Sequence, residues 1–186
     1  DTPIYNKGKH LFGLNITKDS IRKKGFAILT EGNFDIISLY QNGVENVVAG
    51  LGTALTTQQA KLLKRFTDRV VICYDADSAG EVASERAIKV LQAEGFIIKV
   101  MELPAGSDPD DYIRTNGKTL FNELRGKATS WFRYLLNKSV EKHDLSNPTD
   151  KVKLLERVQE LVGFATTELE KREYFSQGMD ILKIDK

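Results

Sequence analysis

Between residues 26 and 103 the apolar positions alternate between two periods. "FAILTEG" (26–32) is a short unbroken apolar run closed by polar residues, the pattern of a strand buried on both faces. "NFDIISLYQNG" (33–43) follows at helical spacing, with Phe34, Ile37 and Tyr40 near one face and Gly43 as its stop. "VENVVAGLG", "RVVICYD" and "FIIKVMELP" predict three more strands. Between them, "TTQQAKLLKRF" predicts a helix with Thr56 and Gln59 at capping-box spacing and Ala60, Leu63 and Phe66 on a stripe. A further helix opens with Ser78 and Glu81, again a capping box, runs through Val82, Ala83, Ala87, Val90 and Leu91, and stops at Gly95. Strands and helices alternating in units of roughly 30 residues predict a parallel sheet covered by helices.

After "PAGSDPDDYIRTNG" the texture becomes wholly helical. Residues 118–140 place Phe121, Leu124, Ala128, Trp131, Phe132 and Leu135 at helical spacing. "HDLSNP" breaks that helix, and Pro148 suits the first turn of the next, where Val152, Leu155, Val158, Leu161 and Val162 continue the pattern. Trp131 and Phe132 read as core rather than as a platform for stacking bases. The expected fold class is therefore α/β: a mostly parallel sheet flanked by helices, followed by a small all-helical subdomain. The expected boundaries are 1–25 for the tail end of a truncated preceding subdomain, 26–116 for the sheet domain and 117–186 for the helical one. "DTPIYNKGK" reads as an entry into the middle of something larger.

Composition narrows the picture only a little. With 41% apolar and 28% charged residues in a chain of 186, this is ordinary globular material. No apolar stretch approaches the roughly 20 residues of a membrane span, so no membrane partner is expected. One cysteine, Cys73, and two histidines are too few for a zinc site of the usual kind, and no zinc is expected. The formal charge of +1 supplies no global basic field, so a nucleic acid would have to be held by local patches.

The candidate chemistry is acidic. "VVICYDADSAG" ends a strand on Asp75 and Asp77, and residues at i and i+2 of a strand share a face, about 6.6 Å apart. At an effective dielectric near 20 the two anions repel by about 2.5 kcal/mol. Either Asp77 caps the following helix or a divalent cation offsets the charge. Ligands collect outside the carboxyl ends of parallel strands, which is also where Glu31 and Asp35 of "EGNFD" and the run Asp108, Asp110 and Asp111 belong. An oxygen-only set suits Mg²⁺ or Mn²⁺. An EF-hand fails, because Ala79 and Arg86 stand where ligands are required, and a P-loop fails at Tyr112, where its first glycine would stand. "GLGT" (50–53) is either an ordinary turn or a loop whose backbone amides meet a phosphate, which makes Gly50 and Gly52 candidates.

Glu31-Gly32 followed by Asp75-x-Asp77 at the end of an apolar strand resembles the motif pair of the Toprim fold. That fold is shared by bacterial primases, type IA and II topoisomerases and small nucleases. "NKGKHLFGL", "EGNFDII", "GVENVVAGLGTALT", "ICYDADSAG" and "LPAGSDPDDYIR" are similar, in order and spacing, to DnaG-type bacterial DNA primases, and "REYFSQGMDILKI" is similar to the subdomain after Toprim in those enzymes. The resemblance implies a nucleotidyltransferase that copies a single-stranded DNA template into short RNA primers from ribonucleoside triphosphates, in the bacterial cytoplasm at the replication fork. It implies Glu31, Asp75 and Asp77 as catalytic metal ligands for Mg²⁺ (Mn²⁺ substituting), with Glu31 also a general base and Asp35 and Asp110 as supporting acids. Lys7 matches a basic position that faces nucleotide or template, and Lys9, Arg22, Lys23 and Lys24 are further candidates for gripping the template.

The replicative helicase is expected to dock through a domain absent here. The family's zinc-binding domain and basic subdomain are also absent, so this piece by itself is expected to synthesise little or nothing. Ala76 replaces the family's usual glycine between the acids, and Asn33 its usual aromatic residue. The alternatives are another Toprim enzyme, a haloacid-dehalogenase-like phosphatase using the D-x-D pair, or a non-catalytic binding module docking a partner through its helical tail.

Overall fold

A computed structural model describes residues 6–52 and 54–184. The chain forms two compact units, Asp1–Ala128 and Thr129–Lys186.

The first unit opens with a short 3₁₀ turn at Lys7–Lys9 and helix α1 (Leu14–Lys24). Strand β1 (Ala27–Thr30), helix α2 (Asn33–Gln41), strand β2 (Val47–Ala49), helix α3 (Thr57–Lys64), strand β3 (Arg69–Ile72), helix α4 (Ser78–Ala93) and strand β4 (Ile97–Val100) follow. The strands lie side by side as β2-β1-β3-β4, all parallel, with Leu29 opposite both Val48 and Ile72. Going from β1 to β2 the chain moves one way along the sheet; from β2 to β3 and on to β4 it moves the other way. Because such crossovers are right-handed, α2 covers one face while α3 and α4 cover the opposite face. Helix α5 (Pro109–Gly126) packs beside α2, and α3 beside α4.

Alternation along the strands serves both faces. Ile28, Val47, Val71 and Cys73 join Ile36 and Leu39 of α2 and Ile113 and Phe121 of α5 in one buried cluster. Ala27, Leu29, Val48, Val70 and Ile72, also buried, point the other way. Helices leaving the neighbouring strands β1 and β3 go to opposite faces, so a crevice opens between the carboxyl ends of those two strands. Glu31 and Asp75 lie at that crevice.

Four expectations need correction. The exposed face of α2, not the buried one, carries Phe34 (78% accessible), Ile37 and Tyr40, whereas Asp35, Ile36 and Leu39 point inward. Cap residue Gly32 fixes where the helix starts, and Ile36 and Leu39 are then the residues that reach Ile28 and Val47. The single helix expected over 118–140 is two. Helix α5 runs from its cap at Asp108, through a non-helical Gly117 (φ 74), to Gly126; after the extended pair Thr129–Ser130 (β5), α6 (Trp131–Val140) begins. Ser130 starts it by accepting a hydrogen bond from the Arg133 amide at 3.3 Å. Since Phe121 of α5 packs in the sheet core, the compact units divide at 128/129 rather than at 116/117. In α7 (Pro148–Val162) the buried stripe is Leu154, Val158 and Leu161, and Val152 is exposed.

The second unit packs α6, α7 and α8 (Glu168–Leu182) around an aromatic cluster. Trp131 meets Tyr174 edge-on at 5.1 Å, and Phe132 stacks on the same Tyr174 at 4.9 Å. Trp131 and Phe132 are buried, as the helical spacing predicts. Pro148 occupies the first turn of α7, also as predicted. No helix among the described residues is long and apolar enough to cross a membrane.

Candidate metal centre

Glu31 is the residue after β1, where the chain turns toward α2. Its carboxylate accepts a hydrogen bond from the Asp75 amide, yet Oε1 is buried with no partner among the described residues. Burial first, and then the charges of Asp75, Asp77 and Asp35, push its pKa up. Asp75 is pushed up in the same way, by burial and then by Asp108 and Asp77. Asp35, at the third position of α2, caps the helix by accepting the Gly32 amide at 2.8 Å. Burial raises it to about 6 against the pull of the Gly32 and Asp110 amides, with Asp75 and Asp108 adding to the rise.

The aspartate pair does not share a strand face, because β3 ends at Ile72 and the chain has left extended pairing before Asp75. Ala76 instead pairs with the loop after β4: its amide donates to Ser107 O at 2.9 Å, and its carbonyl accepts from the Gly106 amide at 3.0 Å. Asp77, not Ser78, is the cap of α4; its Oδ1 accepts the Gly80 amide at 2.7 Å. Both answers to the D-x-D question are thus compatible: Asp77 caps a helix while its charge bears on Glu31 and Asp75. Gly80 makes the close turn possible. A Cβ there would lie 2.1 Å from the Asp75 carbonyl oxygen, so the first turn of α4 sits directly against the Asp75 backbone.

Opposite this loop, Asp108 caps α5 by accepting the Asp111 amide at 2.7 Å, with Pro109 at the first helical position. Asp110 accepts from Ser38 Oγ of α2 and faces Arg114 at 3.4 Å. Asp108, Asp110 and Asp111 can bring oxygens within 4.8 Å of one another, a group of three acids close enough to hold an ion. The sequence placed the whole "DPDD" run at this edge but gave a named supporting role only to Asp110; its position at a helix start, beside Asp75, is the signal for Asp108 and Asp111. The two sets are one electrostatic neighbourhood, since Asp75 and Asp35 both feel Asp108. An oxygen-only donor set, an orphaned carboxylate oxygen and three acids held above their ordinary range fit a hard divalent cation.

The other sequence candidates have mixed fates. The 3₁₀ turn carrying Lys7 is pinned by the buried Gln59, whose Nε2 donates to Lys7 O at 3.0 Å and His10 O at 2.8 Å. The same side chain closes the Thr56–Gln59 capping box predicted from sequence. Arg22 stacks over Phe66 at 4.7 Å and faces Asp19, and Lys24 donates to Asn46 Oδ1 at 3.0 Å. Both therefore have work within the fold. Gly50 and Gly52 line a cavity together with Glu31, and Gly52 takes a left-handed φ of 69. Thr53 of "GLGT" lies outside the described residues.

A doubly wound parallel sheet with carboxylates at the crevice between β1 and β3 is the arrangement of a Toprim-like domain, and the Toprim-like family matches residues 28–113. Similarity extends well beyond that domain. A DNA primase of Clostridium acetobutylicum is 44% identical over 163 residues, 87% of this chain. The crystal structure of the Aquifex aeolicus primase (zinc-binding and RNA polymerase domains) superposes with a TM-score of 0.83 at 36% identity, covering 100% of this chain and 44% of that one. A DnaG primase catalytic domain bound to ssDNA superposes with a TM-score of 0.83 at 30% identity, covering 97% of this chain and 59% of that one. The chain belongs to the DNA primase family. It spans 27% of the length of the Clostridium relative.

Proposed function

We propose that this chain is the catalytic segment of a primase, which copies single-stranded DNA into short RNA primers from ribonucleoside triphosphates. The observation that carries this reading is the crevice between β1 and β3, where Glu31 and Asp75 face a second set of acids across one loop. Glu31, Asp75 and Asp77 would hold Mg²⁺, with Asp35, Asp108 and Asp110 supporting. When bound, the cation offsets the charge of the triphosphate and of the oxygens entering and leaving at phosphorus. The chain's own part is positioning and proton handling. Glu31, raised by burial and by its acidic neighbours, accepts the proton of the attacking 3′-hydroxyl. The Asp75 amide orients it, and the Asp77 cap and Gly80 hold the loop against β1.

Lys7 and Lys9 are proposed to contact template or nucleotide; Arg22 and Lys24 are weaker candidates because the fold already employs them. Segments of the complete enzyme outside this chain would contact the helicase and supply further grip on the template. The cellular setting proposed is the bacterial cytoplasm, at the fork. A phosphatase built on the D-x-D pair would leave Glu31 idle and is set aside. In the complete primase, Asp75→Ala should cut primer synthesis by about 10²-fold or more and abolish Mn²⁺ binding at the crevice, with no loss of stability. Asp77→Ala should do the same and also cost about 1 kcal/mol through the lost α4 cap. Retained synthesis in both variants would refute the assignment.

A further inference from the structure

On the α3/α4 side of the crevice a cavity of about 260 Å³ is bounded by Thr30, Glu31, Gly50, Gly52, Tyr74 and Arg86, among others. Pockets for drug-sized ligands run from about 300 to 1,000 Å³, so this one suits a small polar group rather than a whole nucleotide. Its walls carry opposite charges. Glu31 and, from α4, Arg86 both line it.

The two do not neutralise each other. No carboxylate among the described residues lies within 4.0 Å of Arg86, and the charges bearing on Glu31 are all acidic. Nor does Arg86 have an acid at helical spacing: positions i−4, i−3, i+3 and i+4 are Val82, Ala83, Lys89 and Val90. The neighbouring Glu85 is paired with Lys89 at 3.0 Å. An exposed arginine with no ion pair among the described residues, lining a cavity that glycine backbone also lines, has its planar fork of donors available to a group not supplied by the chain. A Cβ at Gly52 would meet nothing within 4 Å, so the glycine wall leaves open space for such a group.

We propose that Arg86, with the backbone of Gly50 and Gly52, binds the terminal phosphates of the incoming ribonucleoside triphosphate and the pyrophosphate released from them, opposite Glu31. This rests on the primase reading above and adds to it a residue that holds the leaving group. Because Glu31 repels a polyanion, occupancy requires a divalent cation on the glutamate side, and pyrophosphate should bind only when one is present.

The test uses the complete primase as wild type, Arg86→Ala, Arg86→Gln, Arg86→Lys and Asp75→Ala. Primer synthesis gives KM for nucleotide and the inhibition constant for added pyrophosphate; titration with Mn²⁺ alone gives metal affinity. Arg86→Ala should raise KM and the pyrophosphate inhibition constant about tenfold or more, with Mn²⁺ affinity and melting temperature unchanged. Arg86→Lys should recover part of both. Arg86→Gln, which keeps most of the side-chain stem, is read in place of alanine should the alanine variant melt early. KM and pyrophosphate inhibition within twofold of wild type in both neutral variants overturn the proposal. Failure of the primase reading looks different: wild type makes no primer, or Asp75→Ala makes as much as wild type. Calorimetric binding of magnesium pyrophosphate to wild type and Arg86→Gln then decides the role of Arg86 without reference to synthesis, and equal binding to the two overturns it.

Discussion

At the carboxyl edge of the parallel sheet, Glu31, Asp35 and Asp75 are held above their ordinary pKa, whereas in the helical unit Asp144, Asp150 and Glu170 are held below theirs. The second set is satisfied locally. Asp144 accepts from the backbone and hydroxyl of Ser146, and Asp150 accepts from the Asp144 amide and pairs with Lys153 at 3.0 Å. For Glu170, burial pushes upward, but bonds from Thr166 and Thr167 together prevail. The sheet edge gathers acids that crowd and desolvate one another, with Glu31 Oε1 left unpartnered among the described residues. Native structures tolerate such an arrangement where function requires it, and the contrast separates a unit built for stability from an edge kept short of it.

The largest effect expected from this contrast is in the helical unit. Trp131→Ala removes a buried ring that meets Phe132, Phe164 and Tyr174, and should cost about 3–5 kcal/mol of that unit's stability. Chemical denaturation followed by far-UV circular dichroism measures it. Mn²⁺ affinity at the sheet edge should stay at the wild-type value. A matching loss of metal binding would show that the two units are not energetically separate.

A smaller cost with a larger functional consequence is expected at Gly80. The Cβ of Gly80→Ala would press on the Asp75 carbonyl, a backbone atom that cannot swing away, so α4 or the Asp75 loop must shift. Overpacking of this kind costs about 1–3 kcal/mol, against a helix-propensity gain of about 1 kcal/mol from replacing glycine. The net stability change is therefore modest while the Mn²⁺ site is displaced. Gly178 offers the control. A Cβ there would meet the two methyls of buried Val158 at 2.7 and 2.9 Å, so this substitution also costs stability, but in the helical unit and away from the acids of the sheet edge. Calorimetric Mn²⁺ titration of both variants distinguishes them, and equal affinity in Gly80→Ala would remove the close approach from the account of the site.

The same two regions show what was legible in the residues and what was not. Alternating periods predicted the parallel sheet, and local rules predicted Thr56, Gln59 and Pro148 at helix starts, because each of those signals is complete within four residues. The acids too were visible, since the order strand-then-carboxylate places them at one edge whatever the packing. Features decided by partners distant in sequence were not visible. Phe34, Ile37 and Tyr40 are apolar, yet the face of α2 that docks is chosen by Ile28, Val47 and Phe121. The periodicity of 118–140 continues across the gap between α5 and α6, so apolar spacing hid a break that Ser130 makes by capping. Asp77 and Ser78 are both good caps, and only the turn enforced by Gly80 selects the first.

The smallest effect is the slope of stability with pH, and its sign differs between the units. An acid whose folded pKa lies above its unfolded value binds a proton more readily in the native state, so stability falls as pH rises through the interval between the two. For Asp35 that interval runs from 3.8 to about 6, and Glu31 and Asp75 act in the same direction. The metal-free sheet unit should therefore be more stable at pH 5 than at pH 7.5. Asp144, Asp150 and Glu170 are depressed, so their contribution is complete above the ordinary carboxylate range and is lost only as pH falls below it. The helical unit should accordingly show no change between pH 7.5 and 5 and should weaken below about pH 4. The chain's single tryptophan, Trp131, reports the helical unit by fluorescence, while native-state hydrogen exchange at Leu29 and Ile72, corrected for intrinsic rates, reports the sheet. Saturating Mg²⁺ should abolish the sheet unit's gain at low pH, because the cation offsets the same carboxylates that protons would. A sheet unit whose protection is unchanged from pH 7.5 to 5 without metal would mean that its acids are already compensated within the fold, and the contrast between the two units would reduce to packing.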